Sequence, residues 1–193
     1  MVRLENIDIE IFKKEIYLEY KKLFPECERK SYQILEKTFN DGILKIIKIV
    51  DGNVLVGFIL ANTIDECEYF QVDYFAILEK FQDKGYGTKA IELLKKYAKN
   101  YKGLFIEVEK LGLGIDETEN IQRKRRIEFY EKIKFEKLGF ELDLFKTIFS
   151  AYMLWLVDVK DDDEKVIENI FNLYRAILGE ERLRKHCRVI KDE

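Results

Sequence analysis

A glycine-rich turn at residues 82–87 has the residue types that bind a negatively charged group. It reads Gln82-Asp83-Lys84-Gly85-Tyr86-Gly87, and an amphipathic helix pattern follows it. Backbone N–H groups at a helix start lack intrahelical acceptors, and the helix dipole adds partial positive charge there. A side chain at Gly85 or Gly87 would hold a phosphate away from these donors. The turn is therefore predicted to bind a pyrophosphate; the alternative is a strand-to-helix turn without a ligand.

Two other phosphate-binding patterns fit this turn less well. Residues 85–90 match the dinucleotide fingerprint G-x-G-x-x-A, and Glu107 and Glu109 lie near the spacing of its ribose-binding acid. In that fold the strand leads almost directly into the first glycine, whereas residues 78–84 intervene here. No Gly-Lys-Ser or Gly-Lys-Thr follows at the spacing of a P-loop. Neither a dinucleotide site nor a P-loop is expected.

Glu107 and Glu109 are candidates for acid–base chemistry. They alternate in the strand-like segment Ile106-Glu107-Val108-Glu109, so both side chains are expected on the same face of the strand. A carboxylate in this position can take a proton from an amine, and general bases contribute a factor of about 10²–10⁴ in rate. The alternative, and the commoner fate of such a pair, is a solvated strand face. The sequence leaves open which glutamate is the base.

The other charged and reactive side chains are interpreted without a catalytic role. The run Arg123-Lys124-Arg125-Arg126 is more typical of a solvated helix surface than of a contact with phosphates or with an acidic substrate. His186 is the only histidine and lies in a charged tail, which disfavours a histidine-based triad or a metal site. Cys27, Cys67 and Cys187 share no short spacing and are expected to be free thiols.

The order of elements around the turn resembles that of the GNAT family of N-acetyltransferases. A strand ends at Ala76-Ile77, a short acidic loop follows, and two spacer residues separate Gln82 from Gly85-Tyr86-Gly87 at the start of a helix. This order is similar to the family motif Q/R-x-x-G-x-G/A.

The resemblance covers residues 43–144 and departs from the family pattern at two positions. Residues 127–135 look like the family's helix segment that ends in a tyrosine, here Tyr130, followed by Gly-Phe. Lys134 stands in place of the glycine of that Gly-Phe. Arg123 stands where the family usually has an asparagine, so the family contact made by that asparagine is not carried over.

The resemblance implies a site for acetyl-CoA as cosubstrate. Phe75, Ala76 and Ile77 would line the pantetheine arm, with a backbone N–H near Ile77 polarising the thioester carbonyl. Tyr130 corresponds to the tyrosine that protonates the CoA sulfur, with ordinary packing on a half-buried helix face as the alternative. The cofactor-binding turn would comprise Gln82, Asp83, Lys84, Gly85, Tyr86, Gly87 and Thr88.

The expected activity is direct transfer of the acetyl group to an amine, without a metal. A competing class is a non-catalytic CoA-binding or interaction protein that keeps the phosphate site alone. The acceptor is expected to be a small cationic amine, because five acids would surround the acetyl site and attract a cation. The opposing feature is the basic run after them, which would neutralise the acids or turn toward an anionic acceptor. The five acids are Glu107, Glu109, Asp116, Glu117 and Glu119.

Periodicity predicts the elements that position these residues. Helices are expected at residues 7–24, near 32–39, after the glycine turn to about 101, and at 121–132. A last helix is expected in the tail, beginning in Asp161-Asp162-Asp163 and ending at Gly179. Strands are expected at residues 43–50, 54–61, 70–78, 104–108, 135–144 and 151–159. Residues 51–53 are typical of a hairpin, and residues 110–120 of a loop.

The predicted fold is α+β, with a mixed, mostly antiparallel sheet, helices on both faces, and a splayed central strand pair at residues 70–78 and 104–108. With 193 residues the chain is expected to form a single domain over residues 1–193. A net charge of -3 disfavours a nucleic-acid partner. No apolar stretch approaches the roughly 20 residues that span a bilayer, and acids near the N-terminus disfavour a secretory signal. A cytoplasmic protein is expected, with its oligomeric state left open.

Overall fold

The computed structural model describes residues 1–26 and 28–191, which contain eight strands and seven helices. The strands are β1 (Val2–Ile7), β2 (Leu44–Asp51), β3 (Val54–Asn62), β4 (Tyr69–Ile77), β5 (Gly103–Glu109), β6 (Glu136–Leu144), β7 (Thr147–Trp155) and β8 (Cys187–Lys191). The helices are α1 (Ile9–Glu15), α2 (Tyr17–Leu23), α3 (Tyr32–Asn40), α4 (Tyr86–Tyr97), α5 (Glu117–Lys132), α6 (Asp163–Leu178) and α7 (Glu180–His186). A short 3-10 helix covers Glu79–Phe81. The expected free thiol of Cys27 lies outside the described residues.

The strands form a mixed sheet in the order β1-β2-β3-β4-β5-β7-β6-β8. β4 and β5 pair in parallel, and their ladder ends after three residue pairs, from Tyr69 with Gly103 to Gln71 with Phe105. The β1–β2, β2–β3, β5–β7, β6–β7 and β6–β8 ladders are antiparallel. The predicted α+β fold with a mostly antiparallel sheet is confirmed.

The described residues divide into two compact units. The first contains residues 1–64 and 72–99, and the second contains residues 65–71 and the chain from residue 100 onward. β4 is divided between the two units after Gln71. The single domain over residues 1–193 stays a prediction.

The first unit is built on strands whose alternate residues are buried by helices α1–α3. Both faces of β2 and β3 are covered, since neighbouring residues such as Ile46 and Ile47 are each almost fully buried. Burying one such side chain contributes about 1.5–3 kcal/mol. The cluster under α1–α3 contains Ile9, Phe12, Ile16, Tyr20, Leu35, Leu44, Ile46, Phe58, Leu60, Tyr74, Ala76 and Leu78.

Helix α6, which was predicted in the tail, lies in the second unit. The side chain of Asp162 accepts a hydrogen bond from the Lys165 N–H at 2.9 Å, and this cap starts the helix. Gly179, with φ of 77°, ends it. Helix α7 and strand β8 follow, and neither was predicted from the sequence. β8 pairs with β6, so the edge of the sheet is formed by a segment with little apolar signal of its own.

Three predicted boundaries near the N-terminus and α5 were wrong. The expected helix at residues 7–24 is two helices that meet at Ile16, because a break in backbone direction does not disturb the apolar spacing. It is preceded by β1, whose mixed charged and apolar residues concealed a strand that pairs with β2. Helix α5 begins at Glu117 rather than at residue 121, because Asp116 caps it by accepting the Glu119 N–H at 2.8 Å.

The last predicted strand lies four residues earlier in the chain than expected. β7 begins at Thr147 instead of residue 151, and it ends at Trp155. Its hairpin turn from β6 uses Phe145 and Lys146, with φ of 54° and 73°, where glycine or asparagine is usual. No turn residue therefore marked the start of β7. None of the helices within the described part of the chain is long and apolar enough to cross a bilayer.

Candidate active site

The predicted pyrophosphate turn connects β4 to α4 in the first unit. After Ile77 the chain makes the short 3-10 helix and reaches Gln82, whose backbone returns to an extended conformation. The Gln82 amide Nε2 donates a hydrogen bond to the Ile77 carbonyl at 3.0 Å. This bond ties the turn to the end of β4, so the position of the turn follows the strand.

Gly85 is the N-cap of α4 and adopts φ of 78° in the left-handed region. No side chain caps the helix start, and a Cβ placed on Gly85 would meet no heavy atom within 4 Å. The first N–H groups of a helix have no intrahelical acceptor, which applies here to Tyr86, Gly87 and Thr88. A left-handed residue followed by helical ones forms a concave arrangement of N–H groups that suits an anion. The turn therefore presents backbone donors to open space.

Tyr86 anchors the first turn of α4 within the same unit. Its hydroxyl donates to Asp51 Oδ2 at 3.0 Å, and its ring packs edge-on against Phe81 at 5.7 Å between centroids. Lys84 bends back to donate to the Lys80 carbonyl at 2.7 Å, and Asp83 adopts φ of 57°. The turn is thus shaped by side chains on both of its sides, while residues 82–85 stay exposed.

The three residues of β4 predicted to line the pantetheine arm differ in exposure. Ala76 is buried with the core cluster, whereas Phe75 and Ile77, which alternate with it, are half-buried. The N–H of Leu78 donates to the Val56 carbonyl at 2.9 Å. The Leu78 N–H is therefore not available to a thioester carbonyl.

Glu107 lies on β5 in the second unit and accepts hydrogen bonds from Gln71. Gln71, at the end of the parallel ladder, donates its side-chain Nε2 to both Glu107 carboxylate oxygens, at 3.1 and 3.0 Å. Gln71 is buried and Glu107 is half-buried. Gln71 was not predicted from the sequence, because the contact joins residues 36 positions apart and has no local signal.

Glu109, two residues further along β5, is held by two arginines of α5. Its carboxylate lies 2.5 Å from the Arg126 guanidinium and 3.6 Å from that of Arg123. The Glu109 side chain is 6% exposed. An amide side chain thus contacts Glu107, and two guanidinium groups contact Glu109.

The basic run at residues 123–126 is only partly the solvated surface that its composition indicated. Lys124 and Arg125 are exposed, but the Arg123 side chain is 7% exposed. Arg123 contacts Glu119 through Nε at 3.1 Å and donates to the Lys110 carbonyl at 2.9 Å. For Arg123 the interpretation as solvated surface was wrong, since a guanidinium with several acceptors can be buried. Arg123 occupies the position of the family's asparagine and ties α5 to the end of β5.

The five predicted acids are not equivalent. Glu109 is ion-paired, Asp116 caps α5, and Glu119 accepts hydrogen bonds from Arg123 and from the Ile115 N–H at 2.8 Å. Only Asp116 and Glu117 are exposed, and Glu107 is half-buried. The acidic field expected around the loop is therefore weaker than five carboxylates would produce.

Tyr130 lies near the C-terminal end of α5 in an aromatic environment. Its ring packs edge-on against Phe129 and Phe135, each at 5.2 Å between centroids. Loss of hydration raises the pKa of Tyr130 to about 12, against the opposing effect of the Arg126 guanidinium. The phenol is consequently protonated throughout the neutral range, as a proton donor must be.

Lys134, at the family's glycine position, adopts φ of 75° just after α5. The Phe135 N–H donates to the Tyr130 carbonyl and the Lys134 N–H to the Glu131 carbonyl, both at 3.0 Å. These two bonds form a Schellman motif, in which glycine is usual at the left-handed position. The departure from the family pattern leaves the helix end intact.

Several solved structures are similar to this chain at low sequence identity, which shows the fold. A protein from Bacteroides thetaiotaomicron assigned to the GNAT family is 23% identical, with a TM-score of 0.68 and coverage of 92% of this chain and 99% of that one. The ribosomal-protein-S18-alanine N-acetyltransferase from Escherichia coli is 14% identical, with a TM-score of 0.58 and coverage of 83% and 97%. An aminoglycoside 6'-N-acetyltransferase complexed with coenzyme A is 15% identical, with a TM-score of 0.57 and coverage of 82% and 99%.

Sequence comparison gives the family directly. No curated protein sequence matches the chain significantly. Residues 13–135, more than half of the chain, match the family model described as Acetyltransferase (GNAT) family. This match includes the glycine turn, both glutamates of β5 and Tyr130. The chain belongs to the GNAT family of acetyltransferases.

Proposed function

We propose that this protein transfers the acetyl group of acetyl-CoA directly to an amine. Membership of the GNAT family supports acyl transfer in general. The observation that carries the finer proposal is the start of α4, where Gly85 adopts a left-handed conformation beside open space and no side chain caps the helix. One structure of similar fold contains coenzyme A.

The turn fits the pyrophosphate of CoA in charge and in shape. The N–H groups of Tyr86, Gly87 and Thr88 would hold the phosphate oxygens, and the exposed Lys84 and Lys89 add positive charge nearby. Phe75 and Ile77 would contact the pantetheine arm. When bound, acetyl-CoA supplies an activated acetyl thioester. The chain's own part is to fix that group and to handle two protons.

We assign the removal of a proton from the amine to Glu107 rather than to Glu109. Two guanidinium groups hold the carboxylate oxygens of Glu109 in ion pairs, Arg123 at Oε1 and Arg126 at Oε2, so both oxygens are already engaged. Gln71 orients the Glu107 carboxylate by donating to both of its oxygens. The base is placed at Glu107 because the oxygens of Glu109 are held in ion pairs with arginines.

Tyr130 is proposed to donate a proton from its Oη to the departing sulfur. Its phenol keeps its proton at neutral pH because its pKa is raised to about 12. General acids contribute a factor of about 10²–10⁴ in rate, and the raised pKa makes this phenol a weaker acid toward a thiolate.

The proposed acceptor carries positive charge, as the sequence indicated for a small cationic amine. The structure supports a cationic acceptor less strongly than the sequence did, because Glu109 and Glu119 are bound to arginines. Glu107, Asp116 and Glu117 remain to favour a cation over an acidic acceptor. A cytoplasmic location is part of the same proposal.

The matched variants Glu107→Gln and Glu109→Gln test the assignment of the base. We expect Glu107→Gln to lower kcat at least 10²-fold while CoA affinity stays constant. Glu109→Gln should lower the free energy of unfolding, because it removes the partner of two arginines. It should lower kcat less than Glu107→Gln does. Release of the CoA thiol is measured with a panel of amines, beside chemical unfolding. Equal losses of kcat in the two variants would refute the assignment, and CoA binding without turnover on any amine would favour the non-catalytic alternative.

A further inference from the structure

The loop between β5 and α5 displays large apolar side chains to solvent. Leu111 is 46% exposed, Leu113 55% and Ile115 94%, and Ile121, in the second turn of α5, is 48% exposed. No separate stretch of eleven described residues contains more than two exposed large hydrophobic side chains. Contiguous exposed apolar groups are uncommon on proteins that lack a partner for them.

This apolar loop is held in one conformation by polar contacts. Asn120 Oδ1 accepts the N–H groups of both Gly112 and Gly114, at 3.0 and 3.1 Å, and its Nδ2 donates to the Asp116 carbonyl at 3.0 Å. Glu119 accepts the Ile115 N–H at 2.8 Å. A loop fixed by its own hydrogen bonds keeps its apolar side chains exposed instead of folding them inward.

Glycine is favoured at positions 112 and 114 of the apolar loop for two different geometric reasons. Gly112 adopts φ of 87°, which disfavours a side chain. At Gly114 a Cβ would approach the Asn120 side chain to 2.9 Å. The alternating pattern Leu111-Gly112-Leu113-Gly114-Ile115 thus combines a shaped backbone with outward apolar groups.

The charges around the apolar loop are negative. Asp116 and Glu117 are exposed next to Ile115. Lys110, the one basic residue in the segment 110–122, is bound to Glu141 at 2.7 Å. Lys124 and Arg125 lie one turn further along α5, and Lys124 faces Glu128 at 3.8 Å. A partner that is apolar and basic complements this surface.

We propose that the apolar loop docks a peptide segment that alternates apolar and basic residues, and that such a segment carries the acceptor amine. This inference rests on the proposed function, because the loop begins directly after Glu109 and its end is tied to β5 through Arg123. Peptide side chains would bury Leu113 and Ile115, while Asp116 and Glu117 would pair with basic side chains.

A peptide without a primary amine tests docking separately from catalysis. The probe is an N-terminally blocked, fluorescent decapeptide of alternating leucine and arginine, compared with leucine–glutamate and serine–arginine peptides by anisotropy. We expect the leucine–arginine peptide to bind at least tenfold more tightly than either comparison peptide. Equal binding of the serine–arginine peptide would overturn the proposal, because charge alone would then explain the affinity.

Variants locate the binding on the apolar loop. Leu113→Ser combined with Ile115→Ser should weaken the leucine–arginine peptide at least tenfold, and Asn120→Ala should weaken it by releasing the loop. Val159→Ser, which changes a side chain that is 82% exposed elsewhere in the same unit, should have no effect. An unchanged affinity in the double variant overturns the proposal. The proposal is also overturned if the peptide does not bind and the wild-type protein instead self-associates in a way that the double variant abolishes.

The same decapeptide with a free N-terminus tests the link to catalysis. We expect the double variant to raise KM for this acceptor at least tenfold with kcat within a factor of two. Binding of the blocked peptide without acetylation of the free one would leave the docking surface standing and count against the proposed function. Acetylation of small amines without binding of the peptide would refute the docking surface and leave the proposed function standing.

Discussion

The turn before α4 and the turn after α5 each contain a residue in the left-handed conformation, but the residue types differ. Gly85 has φ of 78° and Lys134 has φ of 75°. Asp83, close to the first turn, also adopts positive φ with a side chain. A left-handed conformation alone therefore does not require glycine in this chain. At position 85 a side chain would extend into the open space beside the helix start, where the phosphate is proposed to bind.

The two regions also differ in the groups that they present. The start of α4 presents backbone N–H groups, so its chemistry depends on local conformation. The end of α5 and the neighbouring β5 present Tyr130, Glu107 and Glu109, whose properties depend on partners from other elements. The effects of mutation should follow this difference.

The largest effect is expected at the end of α5. Tyr130→Phe should lower kcat about 10²-fold with CoA affinity nearly unchanged, because it removes a proton donor and keeps the ring contacts with Phe129 and Phe135. Single-turnover kinetics and calorimetry with CoA measure the two quantities. Phe129→Leu, which alters the same aromatic group without a hydroxyl, is the matched control. Wild-type kcat in Tyr130→Phe would assign Tyr130 to packing alone.

A smaller effect is expected at the start of α4. Gly85→Val or Gly87→Val should weaken CoA binding at least tenfold, about 1.4 kcal/mol, because a side chain would hold the phosphates away from the N–H groups. Gly52→Val introduces the same residue at φ of 60°, also beside open space, in the β2–β3 turn. Calorimetry on the folded variants separates backbone strain from loss of donors. If Gly52→Val weakens CoA binding as much, the phosphate site is refuted.

Lys134→Gly should change stability and leave CoA binding unaltered. Relief of the left-handed conformation is expected to raise the free energy of unfolding by about 1 kcal/mol. Lys132→Gly, inside the last turn of α5, should lower it by about the same amount, because glycine is a poor helix residue. Urea unfolding with an unchanged m-value measures both. Changes of the same sign in the two variants would contradict the comparison of the two turns.

The smallest expected effect is a pH dependence near the start of α5. The Ile115 N–H and the Arg123 guanidinium lower the pKa of Glu119. A lowered pKa in the folded state gives stability that is present above the unfolded value, about 4.3, and is lost as pH falls through the folded value. Glu119→Gln should therefore be less stable than wild type at neutral pH, with the difference vanishing in acid.

Urea unfolding between pH 2.5 and 7 measures this difference, with Glu117→Gln as the control on an exposed neighbour. A difference between wild type and Glu119→Gln that stays constant over the whole pH range would show that ionisation of Glu119 does not control it.

Local chemistry was sufficient to predict most of the fold. Strands β2 to β5 and helices α3, α4 and α6 lie close to their predicted positions, because their apolar period and their capping residues are local signals. Asp116 and Glu119 form a capping pattern that marks the true start of α5. β1 and β8 had weaker signals, since each is a strand at an edge of the sheet whose pairing partner lies far away in the sequence.

By itself the sequence determined the family, the glycine turn and the candidate residues Glu107, Glu109 and Tyr130, because motifs and periodicity are properties of neighbouring residues. Only the tertiary structure decided how the two glutamates differ. Gln71 reaches Glu107 across 36 residues, and Arg126 reaches Glu109 across 17. The electrostatic character of a carboxylate depends on the charges within a few ångströms of it. Those neighbours are brought together by folding, so spacing along the chain cannot reveal them.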